Sequence, residues 1–335
     1  MQSEYQNIPV SIIIPTWNGR ELLKRFLPSV VEALAAWPGG GEIVVADDGG
    51  TDGTAEFLAA EFPSVRVVRS EINRGFAATA NMGMEAARNR VSLLLNNDVE
   101  TERQFIAPLV RWFEDGNTFA VCALSLDWDH TTFRDGGKAG YWKRGFWRVW
   151  RNYEVVRGQE EPPQPWPSIY GSGGFTAFDR DKWLVLGGLD ELFAPFNWED
   201  TDICYRGLKR GWCVLYEPES VVYHSPNTTI GSTSRRLRVR FISRRNRLLF
   251  HWKNLTDTGM LASNILHSCL SLPLALLRLD LAAAAAFFAA GWRLKAIRAR
   301  RKVEIREAVV DDRAISKQFA ALESKIRCTR GGRLE

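Results

Sequence analysis

The feature that most constrains the fold is an alternation, repeated from residue 10 to residue 126, of short apolar runs with segments of helix length. This alternation predicts βα units, in which the strands pair in parallel and helices cover the sheet. The predicted strands are 10–14, 42–46, 65–69, 91–95 and 119–126. The predicted helices are 21–36, 54–61, 76–88 and 102–113. We therefore expect an α/β, Rossmann-like first half with a mostly parallel central sheet.

Polar residues follow two of these strands directly. Asp47 and Asp48 follow the second strand, and the run Asn96, Asn97 and Asp98 follows the fourth. Because open α/β sheets bind ligands at the carboxyl ends of their strands, we expect these side chains to share one site. No G-x-G-x-x-G motif follows the first strand, where residues 15–19 read PTWNG. Ordinary dinucleotide binding is therefore disfavoured.

Length and cysteine content narrow the class of protein. A chain of 335 residues has room for one large or two modest domains. Its five cysteines are scattered and form no C-x-x-C pair, which argues against a disulfide framework and a zinc site. Residues 1–9 are polar and lack an apolar core, so we expect no secretory signal and a cytoplasmic location.

The net charge of +5 is concentrated locally. Residues 220–256 contain eight Lys or Arg and no Asp or Glu, and a second basic cluster spans 293–302. The second cluster follows an apolar stretch directly, which favours an anionic membrane surface over nucleic acid as the partner. A solvated basic helix face is the alternative.

The most apolar part of the chain is 260–292, with Arg278 and Asp280 in its middle. Neither half, 260–277 or 279–292, is an uninterrupted span of about 20 apolar residues, so we predict a pair of interfacial or re-entrant helices. The alternative is a soluble helical hairpin packed on the rest of the protein. Residues 300–335 read as a charged helix or tail.

Residues 127–168 interrupt the regular pattern and are rich in Gly, Pro, Arg and Trp. We predict a long irregular segment, a class that is often functional. Its tryptophans beside basic residues suit stacking on a sugar, a lipid headgroup or a partner, and core filling is equally possible. Regular structure is expected to resume with helices at 180–186 and 200–210 and strands at 214–216 and 221–223.

Sugar transfer from a nucleoside diphosphate needs a grip on the nucleoside, a counter-charge for the diphosphate and a base for the acceptor hydroxyl. The hydrogen-bonding groups of Thr16, Asn18, Asp47 and Asp48 suit the nucleoside. Taken alone, the Asp-Asp-Gly sequence is equally typical of a turn or a helix cap.

The counter-charge is expected to be Mg²⁺ or Mn²⁺ held by one or two protein groups. Asp98 fits this role, Asn96 offers a neutral oxygen, and His224 offers an imidazole, which Mn²⁺ accepts more readily than Mg²⁺. Arg74 precedes a predicted helix whose amino end suits phosphate, although a surface arginine is common at such a position.

The candidate base is Asp200, next to Glu199 and Trp198 at the start of a predicted helix. Burial and neighbouring carboxylates are expected to raise the pKa of one of these acids toward neutrality. Asp202 points to another helical face and is expected to be a cap or an ion-pair partner. An acidic first turn that favours the helix dipole is the alternative.

Taken in order, these motifs resemble family 2 glycosyltransferases of GT-A fold, and most of all the bacterial rhamnosyltransferase-like branch. The matching segments are SIIIPTWNG at 11–19, DDGGTDGT at 47–54, NRGF at 73–76, LLNND at 94–98, GGLDE at 187–191, EDTD at 199–202 and YEPESVVYH at 216–224. The resemblance implies an inverting single displacement with Asp200 as base, assisted by Glu199, and a metal at Asp98 with His224. The implied nucleotide-sugar site is Pro15, Thr16, Asn18, Asp47, Asp48, Asn73, Arg74, Gly75, Asn96 and Asn97. Gly173, Gly174 and Trp198 are assigned to the acceptor.

Two departures from the family pattern are the Trp-rich insertion and Gly50, which stands where the family usually has Ser. We expect a catalytic domain over 1–254 and a membrane-associated helical region over 255–335. The predicted function is transfer from a UDP- or dTDP-sugar to a glycan or lipid-linked acceptor, at the cytoplasmic face of a bacterial inner membrane. A non-catalytic nucleotide-sugar binding protein and a sugar nucleotidyltransferase are the alternatives.

Overall fold

The computed structural model describes residues 4–152, 166–224 and 233–329. Its strands are β1 (Val10–Thr16), β2 (Gly41–Asp47), β3 (Arg66–Arg69), β4 (Val91–Leu95), β5 (Glu100–Thr101), β6 (Thr118–Leu126), β7 (Phe133–Asp135), β8 (Lys138–Lys143), β9 (Phe146–Asn152), β10 (Trp166–Pro167), β11 (Phe175–Asp179) and β12 (Cys213–Tyr223). Its helices are α1 (Arg20–Ala36), α2 (Thr54–Glu61), α3 (Phe76–Ala86), α4 (Ile106–Val110), α5 (Arg180–Val185), α6 (Glu199–Lys209), α7 (Thr233–Asn254), α8 (Thr258–Leu277), α9 (Leu281–Gly291), α10 (Leu294–Glu307) and α11 (Asp312–Thr329). Short 3₁₀ helices lie at Glu4–Asn7, Arg111–Phe113 and Glu191–Phe193.

The central sheet has the strand order β10-β12-β6-β11-β4-β1-β2-β3. The half formed by β3, β2, β1 and β4 is parallel throughout, as the alternating pattern predicts. Strand β11 enters antiparallel between β4 and β6 and joins the two halves. This arrangement confirms the predicted mostly parallel α/β sheet.

The strands of this sheet are covered on both faces. Along β1, Ile12 and Ile14 belong to one buried cluster and Ile13 belongs to another, since successive side chains of a strand point to opposite faces. The second cluster also contains Ile315 and Phe319 of α11. The C-terminal helices therefore pack against the same core as the sheet.

Three predicted elements differ from the observed ones. The helix predicted at 102–113 is wrong in its first turn, because Thr101 pairs with β12 and the Glu102 N–H donates to the Val221 carbonyl. The two strands predicted at 214–216 and 221–223 are one strand, β12, with an irregularity in its pairing with β6 between Glu217 and Val221.

The prediction of a wholly irregular segment at 127–168 is also wrong. Within it, β7 pairs with β6, and β8 and β9 form a separate two-stranded antiparallel sheet. The strands of this hairpin read KAGYWK and FWRVWRN, with aromatic residues in adjacent pairs, so they lack the regular apolar alternation that predicts a strand. Residues 153–165 of this segment, 225–232 of the basic region and 330–335 of the predicted tail lie outside the described residues.

The apolar region folds as two helices, α8 and α9, that form a hairpin beside α7. Helix α8 has 20 residues and is, by length and composition alone, long and apolar enough to cross a membrane, although it contains the polar residues Asn264 and His267 and a proline, Pro273. Most of its side chains are not buried within the protein. Near its middle, buried Asn264 donates to the Gly145 carbonyl oxygen (2.6 Å) and accepts from the Trp252 indole N–H (3.0 Å).

Candidate active site

The carboxyl ends of β1, β2 and β4 meet at one edge of the sheet, as the sequence predicts. Pro15 and Thr16 end β1 and are paired with Ala46 and Asp47 of β2. The hydroxyl oxygen of Thr16 accepts a hydrogen bond from the Asn97 side-chain amide at 2.8 Å. This bond joins the residues that follow β4 to the end of β1.

The loops after β1 and β2 are tied together by Asn18, which has a positive φ of 49°. Its side-chain oxygen accepts from the Thr51 N–H at 2.7 Å. A Cβ at Gly50 would lie 2.8 Å from Asp47 Oδ1 and 3.1 Å from the Asn18 nitrogen. The absence of a side chain at Gly50 is therefore required by the local packing of this loop.

Asp47 and Asp48 are both buried and both hold neighbouring loops in place. Asp48 accepts hydrogen bonds from the backbone N–H groups of Arg74 and Gly75, each at 2.8 Å. Asp47 accepts from the Gly50 N–H at 2.9 Å and lies 3.3 Å from Arg69. Each carboxylate thus shapes the predicted nucleotide-binding edge through the loops that it fixes.

The Asn73–Arg74 segment lies at the rim of this edge, and both side chains are exposed. Arg74 forms an ion pair with Glu191 at 3.3 Å, with both side chains about half exposed. An ion pair as exposed as this contributes little to stability. The guanidinium can therefore exchange Glu191 for another anion at low cost.

The predicted metal ligands lie together. The Nε2 atom of His224 is 3.4 Å from Oδ1 of Asp98, and both side chains are largely buried. His224 is positioned by its backbone N–H, which donates to the Leu126 carbonyl oxygen, and its ring lies against Phe175. An oxygen and a nitrogen donor at this spacing fit a divalent transition cation such as Mn²⁺. Within the described ranges, no group of three or more His, Cys, Asp or Glu side chains is placed to hold a metal.

Two buried glycines connect the end of β4 to the start of α6. The Asn96 N–H donates to the Gly174 carbonyl oxygen at 2.9 Å, and a Cβ at Gly174 would lie 2.6 Å from the Asn96 side-chain nitrogen. The Gly173 N–H points to Oδ2 of Asp200 at 3.4 Å. The residue that contacts the candidate base, Gly173, is therefore adjacent in sequence to the residue that contacts Asn96 of the predicted donor site, Gly174.

The carboxylates at the start of α6 have different surroundings. Asp200 is half-buried and also accepts from the Thr201 N–H at 2.6 Å, and burial raises its pKa. Glu199 is buried, and one of its carboxylate oxygens has no partner among the described residues. Burial, and next the charge of Asp200, raise the pKa of Glu199 to about 8. The predicted shift toward neutrality is therefore present in this pair of acids.

Asp202 has the structural role expected for it. It is fully buried and lies 2.8 Å from both Arg206 and Lys253, and it also accepts from the Asn254 side-chain amide at 2.7 Å. Asp190 of the GGLDE motif is likewise paired with Lys253 and Arg300, each at 2.7 Å. Both acids therefore join α6 and its preceding loop to the C-terminal helices.

A cavity of about 550 Å³ lies beside Asp200. It is lined by Tyr141, Trp147, Arg148, Val149, Ile169, Tyr170, Asn197, Trp198, Asp200, Thr201, Ser243, Arg247 and Phe250. Trp198 has a positive φ of 79° and its ring lies against Phe250 and His251. The β8–β9 hairpin and α7 supply two walls that no sequence motif identifies; the one signal for the hairpin is the clustering of aromatic and basic residues in 127–168.

Comparison with known proteins places these features in a family. The chain matches the sequence model of glycosyl transferase family 2 over residues 11–183. It is 29% identical to polypeptide N-acetylgalactosaminyltransferase 10 of Mus musculus, over 58% of this chain and 34% of the relative. It is 25% identical to N-acetylglucosaminyl-diphospho-decaprenol L-rhamnosyltransferase of Mycobacterium tuberculosis, over 64% of this chain and 75% of the relative. The chain thus spans about a third of the length of the first of these relatives.

The fold is similar to that of a solved mannosyltransferase from Pyrobaculum calidifontis in complex with GDP-Man and Mn²⁺. The TM-score is 0.53 at 20% identity, and the match covers 97% of this chain and 88% of the other. This similarity confirms the predicted GT-A fold with a helical C-terminal region. The mycobacterial relative supports the predicted resemblance to the rhamnosyltransferase-like branch.

Proposed function

Since this chain belongs to glycosyl transferase family 2, we propose that it moves a sugar from a UDP- or dTDP-sugar to a glycan or lipid-linked acceptor. The observation that carries the proposal is the connection, through Gly173 and Gly174, between the sheet edge at Asn96 and the carboxylate of Asp200 beside a cavity. Gly174 contacts the sheet edge, whose loops would bind the nucleotide. Gly173 contacts Asp200, the proposed base, which lies beside a cavity that could hold the acceptor.

In the proposed reaction the donor lies along the loops fixed by Asn18, Asp47 and Asp48. Asp200 takes the proton of the acceptor hydroxyl while its oxygen forms a bond to the anomeric carbon. The bond from that carbon to the diphosphate oxygen breaks, and its electron pair leaves with the nucleoside diphosphate. This single displacement inverts the configuration at the anomeric carbon.

Asp98 and His224 would hold a divalent cation. When bound, such a cation supplies positive charge that stabilises a diphosphate leaving group. The relative from Pyrobaculum calidifontis was solved with Mn²⁺, which supports a divalent metal without distinguishing Mn²⁺ from Mg²⁺.

We further propose that residues 260–302 contact a membrane, with the catalytic domain over 1–254 and the helical region over 255–335. Large apolar side chains are about 80% exposed or more at the ends of both helices: Leu277 ends α8, Leu279 precedes α9, and Trp292 follows α9. The basic cluster at 293–302 follows directly. Relatives whose names include lipid-linked substrates, such as the mycobacterial rhamnosyltransferase, support work at a membrane in cell-envelope polysaccharide synthesis. The proposed location is the cytoplasmic face of the bacterial inner membrane.

The donor site is tested by thermal melting of the full chain with UDP, dTDP, GDP, ATP or NAD, each with Mn²⁺ or with a chelator. A ligand at about 100 times its Kd stabilises the folded state by about 2.7 kcal/mol, which raises the melting temperature by a few degrees. We expect a metal-dependent rise with UDP or dTDP. A rise with NAD alone, or with none of the five in a folded sample, would contradict the proposed donor.

A further inference from the structure

Two arginines face the cavity beside Asp200 from different elements. Arg148 lies on β9 and Arg247 lies on α7. Within the described part of the chain, neither guanidinium is within ion-pair distance of a carboxylate, although neighbouring Arg244 pairs with Asp280 at 2.6 Å. The guanidinium of Arg247 instead lies 4.2 Å from the centre of the Phe146 ring. Among the described residues, the two arginines of this cavity thus form no ion pair.

The environment of Arg247 destabilises the charged form of its side chain. It is partly buried, and burial together with the nearby charge of Arg148 lowers the pKa of its guanidinium to about 10. It remains protonated at neutral pH, so both like charges are present when the cavity is empty. A bound anion would relieve the repulsion, and arginine is suited to bind phosphate through paired N–H donors.

The other walls of the cavity fit the remainder of a glycosylated ligand. The rings of Tyr141, Trp147, Tyr170 and Trp198 line it, and flat aromatic surfaces are suited to apolar ring faces. Asp200 lines the same cavity, so an acceptor sugar would lie between the base and the arginines.

The cavity is also joined to the apolar helices. The turn of the β8–β9 hairpin rests on α8, where the Asn264 side-chain amide donates to the Gly145 carbonyl oxygen at 2.6 Å. On the other wall, α7 packs directly against α9. Both elements that carry the arginines are thus seated on the α8–α9 hairpin.

We propose that Arg148 and Arg247 bind the phosphate or diphosphate through which the acceptor sugar is linked to a lipid. This inference rests on the proposed transferase function and assigns its acceptor to a phosphate-linked class. A neutral glycan would leave the arginine pair unused. The lipid tail would run from the cavity along the exposed leucines of α8 and α9.

The test is binding of farnesyl diphosphate to the full chain, followed by tryptophan fluorescence, with farnesol and inorganic diphosphate as comparison ligands. We expect Arg148→Gln and Arg247→Gln each to weaken farnesyl diphosphate at least 10-fold, with farnesol unchanged. Arg247→Lys should restore part of the affinity. Arg238→Gln is the matched control, because Arg238 is exposed on the same helix and does not line the cavity.

The same variants are melted with UDP or dTDP and metal, so the acceptor and donor sites are measured separately. A lost nucleotide response with unchanged farnesyl diphosphate binding would overturn the proposal and assign the arginines to the donor. Equal affinities for farnesyl diphosphate and farnesol would overturn the anion site. Equal affinity for inorganic diphosphate would overturn the lipid-linked assignment. If the wild-type chain binds farnesyl diphosphate but no nucleotide, the proposed function fails while this site stands.

Discussion

Adjacent residues at the start of α6 differ in how their carboxylates are satisfied. Asp200 has backbone donors and faces the cavity, whereas Glu199 is more deeply buried and keeps one oxygen without a described partner. A base must reach the acceptor hydroxyl directly or through one water. The geometry therefore favours Asp200 as the base. The neighbouring Glu199, whose pKa is raised to about 8, is neutral at physiological pH and below.

Replacing Asp200 by Asn should remove the base while keeping the shape of the site. We expect transfer to fall by about 10²- to 10⁴-fold, the usual contribution of a positioned acid or base. Nucleotide binding should change little, which thermal melting with UDP or dTDP measures. Asp98→Ala is the comparison variant, and it should reduce the metal-dependent part of both binding and transfer. Equal loss of nucleotide binding in both variants would contradict the separate roles.

Replacing Glu199 by Gln should make stability less dependent on pH. Burial raises the pKa of Glu199 from 4.5 to about 8, so the folded chain holds a proton that the unfolded chain has released. The wild-type protein therefore loses stability as the pH rises through this interval, and Gln, which is neutral throughout, does not incur this loss. In urea unfolding, the free energy of unfolding of the variant should increase relative to that of the wild type between about pH 5 and about pH 8. A constant difference across that range would contradict the assigned pKa.

Which acids share the site was predictable from the sequence, but what each one contacts was not. Asp200 and Glu199 follow a recognisable pattern at a helix start. The hydrogen bonds from Arg74 and Gly75 to Asp48 join residues 26 and 27 positions apart, a separation at which no periodicity carries information. Arg148 and Arg247 were missed as a pair for the same reason, since only the fold brings a hairpin and a distant helix to one cavity.

At the scale of elements, α6 and α7 are held together by charges that are removed from water. Asp202 on α6 contacts Arg206 on its own helix and Lys253 and Asn254 on α7. Removing one member of a buried ion pair leaves the other charge uncompensated. The free-energy cost of that removal exceeds the net stabilisation that the pair provides.

Asp202→Ala should therefore reduce the free energy of unfolding by about 3–5 kcal/mol. Asp181→Ala is the matched control, because Asp181 is a largely exposed acid on α5 and its loss should cost about 0.5 kcal/mol or less. Chemical denaturation of both variants gives the comparison. Similar stabilities for the two would show that the buried network is not required for docking α7.

The βα elements were predictable because each has its own apolar period, and α2 and β4 have the predicted bounds. The β8–β9 hairpin was not, since its strands lack such a period and, among the described residues, form a sheet separate from the main one. The predicted 102–113 helix begins later than expected, because the preceding β5 pairs with β12. A partner strand more than 100 residues away thus outweighed local helical spacing.

For the whole molecule, the α8–α9 hairpin carries a concentration of exposed large apolar side chains. Leu279 is 80% exposed and Trp292 is 93% exposed. An apolar surface bordered by basic residues is typical of contact with anionic lipid, to which each nearby Lys or Arg adds about 1 kcal/mol. The sequence shows that this region is apolar and is followed by basic residues. It does not show that α10 and α11 pack against the core of the sheet domain.

The double change Leu279→Glu and Trp292→Glu should weaken binding to vesicles that contain an anionic lipid, as measured by cosedimentation. Nucleotide-dependent melting should be unchanged, because neither residue lines the active-site cavity. Val185→Glu, at a position 76% exposed on α5, is the control and should bind as the wild type does. Vesicle binding that survives the double change would contradict membrane contact through these two side chains.

The contact between Gly145 and α8 determines which segments of the chain can be exchanged separately with those of a relative. Gly145 has a φ of 78°, and a Cβ there would lie 2.6 Å from the Ser263 carbonyl oxygen. The tip of the insertion is thus fitted to one particular stretch of the apolar hairpin. An insertion grafted alone into a relative would lack the α8 surface that its tip contacts, so a stable chimaera must carry both segments, and sequence changes in the two should occur together.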